Sequence, residues 1–271
     1  MKRLIMILFA TLSIIISGCT AKESLNDNYV NNETEIVAPT LPDTEQPEHN
    51  EPNIEEEIVD KKKKTYIVST ANSLRVRTAP NSSSNVLGYL DKDDAVIYID
   101  EINGFYKTIF KETTAYIYSS YCTIMEIEYT NDAVEAAIDT GCSLLGYPYV
   151  WGSQRYHWGN GKLNSNFING EFDCSALVQY IYYKSNNVIL DVTTRTQINN
   201  GVEIDKNDLA RGDLMFFTNS SRKNKTGVEK IGHVGIYFGN NYILHTASDH
   251  AVIEPISTLR WSYYITARRV I

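Results

Sequence analysis

The side chains best suited to chemistry in this sequence are one cysteine and two histidines in separate apolar stretches. Cys174 lies in Phe-Asp-Cys-Ser-Ala-Leu-Val, His233 in Gly-His-Val-Gly-Ile-Tyr and His245 in Leu-His-Thr-Ala. A free thiol has a pKa of about 8.5, so it needs a base and a positive field to become a nucleophilic thiolate at neutral pH. Together the three residues supply what a cysteine acyl-transfer enzyme needs.

The residues after Cys174 predict a helix that begins at the cysteine. Apolar side chains recur at helical spacing, at Leu177, Val178, Ile181 and Tyr182. In the first helical turn, free N–H groups and the macrodipole favour a negative charge by about 0.3–1 kcal/mol, so we expect a lowered pKa for the Cys174 thiol. The alternative is a small core residue. The polar neighbours Asp173 and Ser175 argue against such a buried face.

The spacing of the histidines predicts that both lie on one face of a β-hairpin. Strands over 233–238 and 242–246, joined by a three-residue loop at 239–241, pair residue 235 with His245. His233 and His245 are then diagonal neighbours, about 7–8 Å apart at Cα. His233 would be the base and His245 the group that orients it. A two-residue loop would place the histidines on opposite faces.

The first 18 residues predict a secretory signal. Lys2 and Arg3 precede the apolar stretch Leu4–Ile16, which is too short to span a bilayer. The segment ends in Ile-Ser-Gly-Cys, which resembles a bacterial lipobox, so we expect lipidation of Cys19. An ordinary signal peptide is the alternative. The resulting prediction is an exported protein that a lipidated Cys19 anchors to the outer face of the cell membrane.

Residues 19–64 predict an acidic, disordered linker. Positions 20–60 hold twelve acidic residues against one lysine, together with four of the seven prolines. Of the net charge of −8, the signal contributes +2 and this segment −11, which leaves residues 61–271 at +1. A nearly neutral folded part offers no footprint for nucleic acid, so we predict no nucleic-acid partner. We interpret Lys61–Lys64 as a solvated boundary.

Residues 65–126 predict a small all-β barrel, because short strands alternate with turns. The predicted strands are Tyr66–Ser69, Leu74–Arg77, Val86–Leu90, Ala95–Ile99, Phe105–Ile109 and Ala115–Ile117. Cys122 and Cys142 could form a disulfide outside the cell, but two separately buried thiols are the favoured interpretation. No Cys or His pair has zinc-ligand spacing, so neither a metal nor another cofactor is predicted.

Residues 131–271 predict an α+β domain. A helix is expected after Asn131, a suitable N-cap, with apolar residues at helical spacing. After the Cys174 helix the pattern changes to strands. These are predicted at Leu214–Phe217, His233–Phe238, Tyr242–Thr246 and Ile265–Val270. Helices first and consecutive strands afterwards indicate an antiparallel sheet packed on helices.

Four ordered motifs make this region similar to the NlpC/P60 family of cell-wall cysteine peptidases. They are the Cys174 segment, Ala-Arg-Gly-Asp-Leu-Met-Phe-Phe at 210–217, the His233 segment and His245. The resemblance implies a papain-like fold with Cys174 as nucleophile, His233 as base and His245 as the orienting residue. It also implies an oxyanion role for Tyr149 and substrate contacts from Trp151, Asp173, Ser175 and Arg195. Residues 73–80, 86–88 and 104–107 resemble a bacterial SH3 domain.

The resemblance implies hydrolysis of peptidoglycan stem peptides between γ-D-glutamyl and a diamino acid, by a monomer without a cofactor. The alternatives are a non-catalytic wall-binding lipoprotein, or a cysteine amidase or acyltransferase that acts on another amide. Residues 154–171 form a longer connection than the family pattern has. We expect this insert to line the cleft. His157 and Trp158 could contact substrate, but packing of the loop on the domain is the favoured interpretation.

Overall fold

The computed structural model describes residues 62–246 and 249–271. The predicted signal, Cys19 and the linker up to residue 61 lie outside the described residues, so those interpretations stay predictions. All described residues belong to one compact unit. Within them, no helix is both long enough and apolar enough to cross a membrane.

The N-terminal half of the described chain consists of short antiparallel strands. They are β1 (Lys63–Ser69), β2 (Leu74–Arg77), β3 (Val86–Leu90), β4 (Ala95–Ile97), β5 (Asp100–Ile102), β6 (Phe105–Phe110), β7 (Thr113–Tyr118) and β8 (Cys122–Glu128). They pair in two sheets, of order β4-β1-β8 and β3-β2-β7-β6-β5. The six predicted strands are present. The pattern missed β5, which holds a single apolar residue, and β8, although β8 contains Ile124, Met125 and Ile127.

The sequence analysis interpreted the basic run Lys61–Lys64 as a solvated boundary, but its described lysines also make specific contacts. Strand β1 already begins at Lys63 and pairs with β8 over its whole length. Lys64 is half-buried and forms an ion pair with Asp139. The ammonium of Lys62 lies 3.9 Å from the centre of the Tyr129 ring.

The C-terminal half combines helices with one antiparallel sheet. The helices are α1 (Asp132–Ser143), α2 (Cys174–Asn186), α3 (Thr194–Gln197) and α4 (Thr258–Ser262). The strands are β9 (Val202–Ile204), β10 (Leu214–Phe217), β11 (His233–Gly239), β12 (Tyr242–Thr246), β13 (Ala251–Pro255) and β14 (Tyr264–Arg269). The sheet order is β13-β12-β11-β10-β14-β9. This is the predicted α+β architecture, with α1 and α2 packed together and α2 against β11 and β12.

Side-chain caps fix where the two long helices begin. The side chain of Asn131 accepts a hydrogen bond from the Val134 backbone N–H at 2.9 Å, which confirms the predicted N-cap of α1. Asp173 caps α2 in the same way, with its Oδ1 2.9 Å from the Ala176 nitrogen. Cys174 is therefore the first residue of α2, as predicted.

The β11–β12 hairpin differs from the prediction in its loop but not in its parity. The turn has two residues, Asn240 and Asn241, both with positive φ (48° and 62°), and Gly239 pairs with Tyr242. The register then shifts between Tyr237 and Gly239, so that the strand contains one extra residue. Such a bulge offsets the shorter turn. Residue 236 consequently faces residue 244, and the two histidines share a face.

A buried arginine joins the two halves of the molecule. Arg211 is 7% exposed, and its Nε donates to Glu135 of α1 at 2.9 Å. Its Nη2 donates to the hydroxyl of Tyr66 in β1, and its Nη1 to the carbonyl of Phe238 in β11. The rings of Tyr66 and Phe238 lie 4.7 Å apart. The N-terminal sheets and the C-terminal domain thus share one core.

Among the described residues, the two cysteines other than Cys174 are free thiols. Cys142 is buried in α1, and Cys122 is half-buried in β8. The disulfide between them, which the sequence left open, is absent from the described residues, in line with the favoured interpretation of two separate thiols. Burial raises the pKa of both thiols to about 12, so neither is poised to react.

Candidate active site

A cleft of about 490 Å³ opens over the N-terminus of α2. It brings together six residues that the sequence had singled out: Tyr149, Trp151, Asp173, Cys174, Ser175 and Arg195. Gly232, the residue before His233, lies in the same wall. The fold therefore collects residues from five separate stretches of the chain around one thiol.

The Cys174 thiol is deeper and less acidic than predicted. The residue is only 9% exposed. Burial raises the pKa of the thiol to about 11, and the Asp173 carboxylate acts in the same direction. Hydrogen bonds from the backbone N–H groups of Val234 and Ser175 and the charge of Arg155 oppose this rise without overcoming it. The expectation of a lowered pKa was wrong, because desolvation outweighs the helix N-terminus at this depth.

The neighbours of Cys174 are buried, although the sequence argued against it. Asp173 is 6% exposed and Ser175 is 4% exposed. Both contact Arg155, whose Nη2 lies 3.0 Å from Asp173 Oδ2 and 2.9 Å from Ser175 Oγ. Ser175 also donates to Asp173 Oδ1 at 3.0 Å. An arginine that the sequence analysis did not select thus neutralises the carboxylate beside the thiol.

The two histidines are in direct contact. His233 Nε2 lies 2.8 Å from His245 Nδ1. His245 is fully buried, whereas His233 keeps part of its surface exposed. Burial is the main cause that lowers the pKa of each imidazole, that of His233 well below its usual range. Val234, whose N–H faces the Cys174 sulfur, directly follows His233 in β11.

Two further charged residues extend this pair, and sequence reasoning missed both. Glu254 Oε1 lies 3.0 Å from His245 Nε2 and 3.2 Å from Arg260 Nη2. Strand β13 pairs Val252 with His245 and Glu254 with Ile243, so the carboxylate is a diagonal neighbour of the imidazole. The signal available in the sequence was the single acidic residue in the apolar run Ala-Val-Ile-Glu-Pro.

Tyr149 enters the cleft from a segment that is fixed by backbone pairing. Its backbone N–H donates to Asp249 at 2.7 Å, and a parallel bridge joins it to Phe172. Burial, followed by the charges of Cys174 and Asp173, raises the pKa of the phenol. The hydroxyl is therefore a protonated hydrogen-bond donor near the thiol. Trp151 stands at the cleft with 85% of its surface exposed.

Two arginines, Arg195 and Arg222, line the cleft. Arg195 of α3 lies 3.4 Å from Glu229, and Arg222 lies 3.0 Å from the same residue. One carboxylate is thus shared between two guanidinium groups. The hydrogen bond from Arg222 is the main cause that lowers the pKa of Glu229. The three side chains together carry an excess positive charge.

The insert 154–171 contributes less to the cleft than expected. Among its residues, only Arg155 is part of the cleft lining. Its aromatic side chains pack on α2: the Phe167 ring stacks on Tyr180 at 5.5 Å, and His157 lies 4.8 Å from Tyr183. His157 is fully buried, as the packing interpretation expected, whereas Trp158 is 52% exposed.

Comparison with known proteins finds a similarity for each half of the described chain. Residues 146–270 match the NlpC/P60 family, and residues 72–123 match the bacterial SH3 domain. The peptidoglycan DL-endopeptidase CwlO of Bacillus licheniformis is 31% identical over 156 residues, covering 56% of this chain and 31% of that protein. The gamma-D-glutamyl-L-lysine dipeptidyl-peptidase of Bacillus cereus is 31% identical over 140 residues, covering 51% and 36%.

A further relative is the probable endopeptidase YafL of Escherichia coli, which is 31% identical over 150 residues and covers 53% of each chain. The similarity to all three proteins thus extends over little more than half of this chain. The chain spans about a third of the length of the CwlO protein and of the Bacillus cereus peptidase.

Proposed function

We propose that this chain, which carries an NlpC/P60 domain behind a bacterial SH3 domain, is a cysteine endopeptidase that hydrolyses peptidoglycan stem peptides. The observation that carries the proposal is the cleft thiol of Cys174 at the first residue of α2, which hydrogen-bonds the backbone of Val234, the residue that follows His233 of the hydrogen-bonded histidine pair. The printed names of the relatives support the substrate class. The dipeptidyl-peptidase among them favours the bond between γ-D-glutamyl and the diamino acid.

The chemistry proceeds from a neutral resting pair. With the pKa of Cys174 raised and that of His233 lowered, the thiol holds its proton and the imidazole is free to accept it. His233 takes the proton as the sulfur attacks the peptide carbonyl, and returns it to the departing amine, which leaves a thioester. Water, deprotonated by His233, then attacks the thioester carbonyl, and the proton moves to the released Cys174 sulfur.

Tyr149 is the proposed side-chain donor to the oxyanion, together with the backbone N–H of Cys174. The support is that Tyr149 lines the cleft with the thiol and that its phenol stays protonated. A protonated hydroxyl donates to the negative oxygen that develops in the tetrahedral intermediate.

The remaining cleft residues are proposed substrate contacts of different kinds. Trp151 offers an exposed aromatic face to the peptide, and Arg195 offers positive charge to a substrate carboxylate. Ser175 and Asp173 are proposed to face the same substrate. The ion pair between Asp173 and Arg155 makes this carboxylate a weaker site for a free amine than an unpaired one.

We further propose export and anchoring through a lipidated Cys19, which would hold the enzyme next to its polymeric substrate. The support is the signal-like sequence before Cys19 together with relatives that are named for action on peptidoglycan. Metabolic labelling with a clickable fatty acid would test it. Label in the wild type and none in Cys19→Ala is expected, and equal labelling of both would contradict the proposal.

The enzymatic proposal is tested with purified muropeptides and mass analysis of the products. Wild type and Cys122→Ser, which removes a thiol outside the cleft, are expected to release the same fragments. Cys174→Ala is expected to release none. Equal product from Cys174→Ala would exclude a thioester mechanism. Absence of product from every variant would favour the wall-binding alternative, and a product joined to an added amine would indicate acyl transfer.

A further inference from the structure

Four charged or titratable side chains form a continuous row behind the cleft. Arg260 Nη2 is 3.2 Å from Glu254 Oε1, the same oxygen is 3.0 Å from His245 Nε2, and His245 Nδ1 is 2.8 Å from His233 Nε2. The row crosses strands β11, β12 and β13 and ends on α4. Every contact in it lies within hydrogen-bond distance.

The hydrogen atoms in this row can be assigned by counting donors and acceptors. An ionised carboxylate only accepts, so the Nε2 of His245 must carry a proton. Neutral His245 then has its lone pair on Nδ1, and the Nε2 of His233 must donate to it. Neutral His233 is left with its lone pair on Nδ1. A single carboxylate at one end thus determines which nitrogen is basic at the other end, two rings away.

This assignment of hydrogen atoms requires that Glu254 is ionised and that both histidines are neutral, and the pKa shifts agree with both requirements. Burial alone would raise the pKa of Glu254, but the hydrogen bonds from His245 and Arg260 outweigh it and keep the carboxylate ionised. Burial is the main cause that lowers the pKa of both histidines, so both are neutral at rest. The other titratable groups in range are His250, close to His245, and Asp94 of the N-terminal domain, close to Glu254.

We infer that Glu254, held by Arg260, is a positioning residue that makes Nδ1 of His233 the nitrogen that accepts the Cys174 proton. The inference rests on the proposed function for its catalytic meaning, but the proton arrangement itself is a property of the free protein. Without a carboxylate at position 254, His245 is free to place its proton on either nitrogen. His233 then populates the tautomer whose Nδ1 already carries a proton and cannot accept another.

The direct test is the tautomer of each histidine, measured by long-range ¹H–¹⁵N NMR on the ¹⁵N-histidine-labelled protein. Wild type should show His233 and His245 both protonated at Nε2. Glu254→Gln should give a mixture, because an amide can donate or accept. Glu254→Asp should return toward the wild-type pattern. A wild-type His233 protonated at Nδ1, or tautomers that do not change in Glu254→Gln, would overturn the inference.

Kinetics on muropeptides provide the second readout. Glu254→Gln is expected to lower kcat by about 10–100-fold with little change in KM, less than the ~10⁴-fold lost when a carboxylate that directly contacts a catalytic base is removed, because Glu254 acts through His245. Glu203→Gln, on the edge strand of the same sheet, is the matched control and should behave as wild type. The acid limb of the pH–kcat profile should shift in Glu254→Gln. A kcat equal to that of Glu203→Gln would contradict the inference.

The two assays separate this inference from the proposed function. If the NMR spectra show the assigned tautomers while no muropeptide is cleaved, the proton arrangement stands and the enzymatic proposal fails. If muropeptides are cleaved and the tautomers differ from the assignment, the enzymatic proposal stands and the inferred role of Glu254 fails. Circular dichroism and urea unfolding of each variant distinguish loss of function from loss of fold.

Discussion

The buried ion pair beside the nucleophile makes a sharp prediction about stability. Replacing Arg155 with Met keeps an unbranched but shorter apolar side chain, and removes the charge together with the hydrogen bonds to the carbonyls of Ser153 and Val192. It leaves the Asp173 carboxylate, which is 6% exposed, with hydrogen bonds only from Ser175 and the Ala176 N–H. Removing one partner of a buried ion pair costs about 3–5 kcal/mol, because the other charge stays buried without its counterion. We expect Arg155→Met to lose that much free energy of unfolding.

A second substitution shows whether the charge is the cause. Asp173→Asn removes the carboxylate and retains an oxygen that can cap α2 at Ala176. In the double variant no charge is left unpaired. We therefore expect it to be more stable than Arg155→Met, with a coupling energy of about 1–3 kcal/mol between the two positions.

The assay is equilibrium urea unfolding of wild type, both single variants and the double variant, followed by tryptophan fluorescence. The free energies of unfolding form a double-mutant cycle. A loss below about 1 kcal/mol in Arg155→Met, or additive losses in the double variant, would refute the argument that Arg155 compensates a buried charge. Arg222→Met, which removes an arginine paired at an exposed glutamate, is the matched control and should cost about 0–1 kcal/mol.

Three further predictions follow from the geometry. Because the pKa of the Cys174 thiol is about 11, iodoacetamide should alkylate it at pH 7 far more slowly than a free cysteine. The alkylation rate should rise about tenfold per pH unit up to pH 11. A rate at pH 7 equal to that of free cysteine would contradict a protonated resting thiol. Gly235→Ala places a Cβ 2.9 Å from the Cβ of His245, so kcat on muropeptides should fall and stability should drop by about 1–3 kcal/mol; unchanged kinetics would show that the strand yields without moving the histidine. Arg211→Met leaves the buried Glu135 carboxylate without its ion-pair partner and should lower the free energy of unfolding in urea by about 3–5 kcal/mol. A loss near zero would mean that water reaches this cluster.

The sequence predicted the elements that carry the site, because caps and apolar spacing are local signals. Asn131 caps α1, Cys174 begins α2, and strands begin at His233 and Tyr242, all near the predicted residues. The parity of the two histidines was also correct, although the loop was not. A two-residue turn and a bulge together place His245 on the same face as the predicted three-residue loop would, and a pattern of period two cannot distinguish these routes.

The electrostatics of the site were beyond the sequence, because they depend on burial and on contacts between distant segments. The prediction of a lowered pKa for Cys174 took account of the helix N-terminus but not of the burial of the thiol. Arg155 and Asp173 are 18 positions apart, and no local pattern places a guanidinium from the insert on the helix cap. Glu254 acts through β13, a strand that was not predicted, so its place in the histidine row could not be anticipated.

The bulge at Phe238 has a consequence for how this hairpin can change in length during evolution. Adding or deleting one residue in the Asn240–Asn241 turn, with the bulge retained, would shift β12 by one residue against β11, rotate His245 to the far side of the sheet and separate it from His233. Length changes keep the row intact when they leave the parity of the hairpin unchanged, either as one change in the turn with one in the strand, or as two residues in the turn. Related sequences are therefore expected to differ in this hairpin by an even number of residues, and variants with one residue more or less in the turn should lose activity on muropeptides.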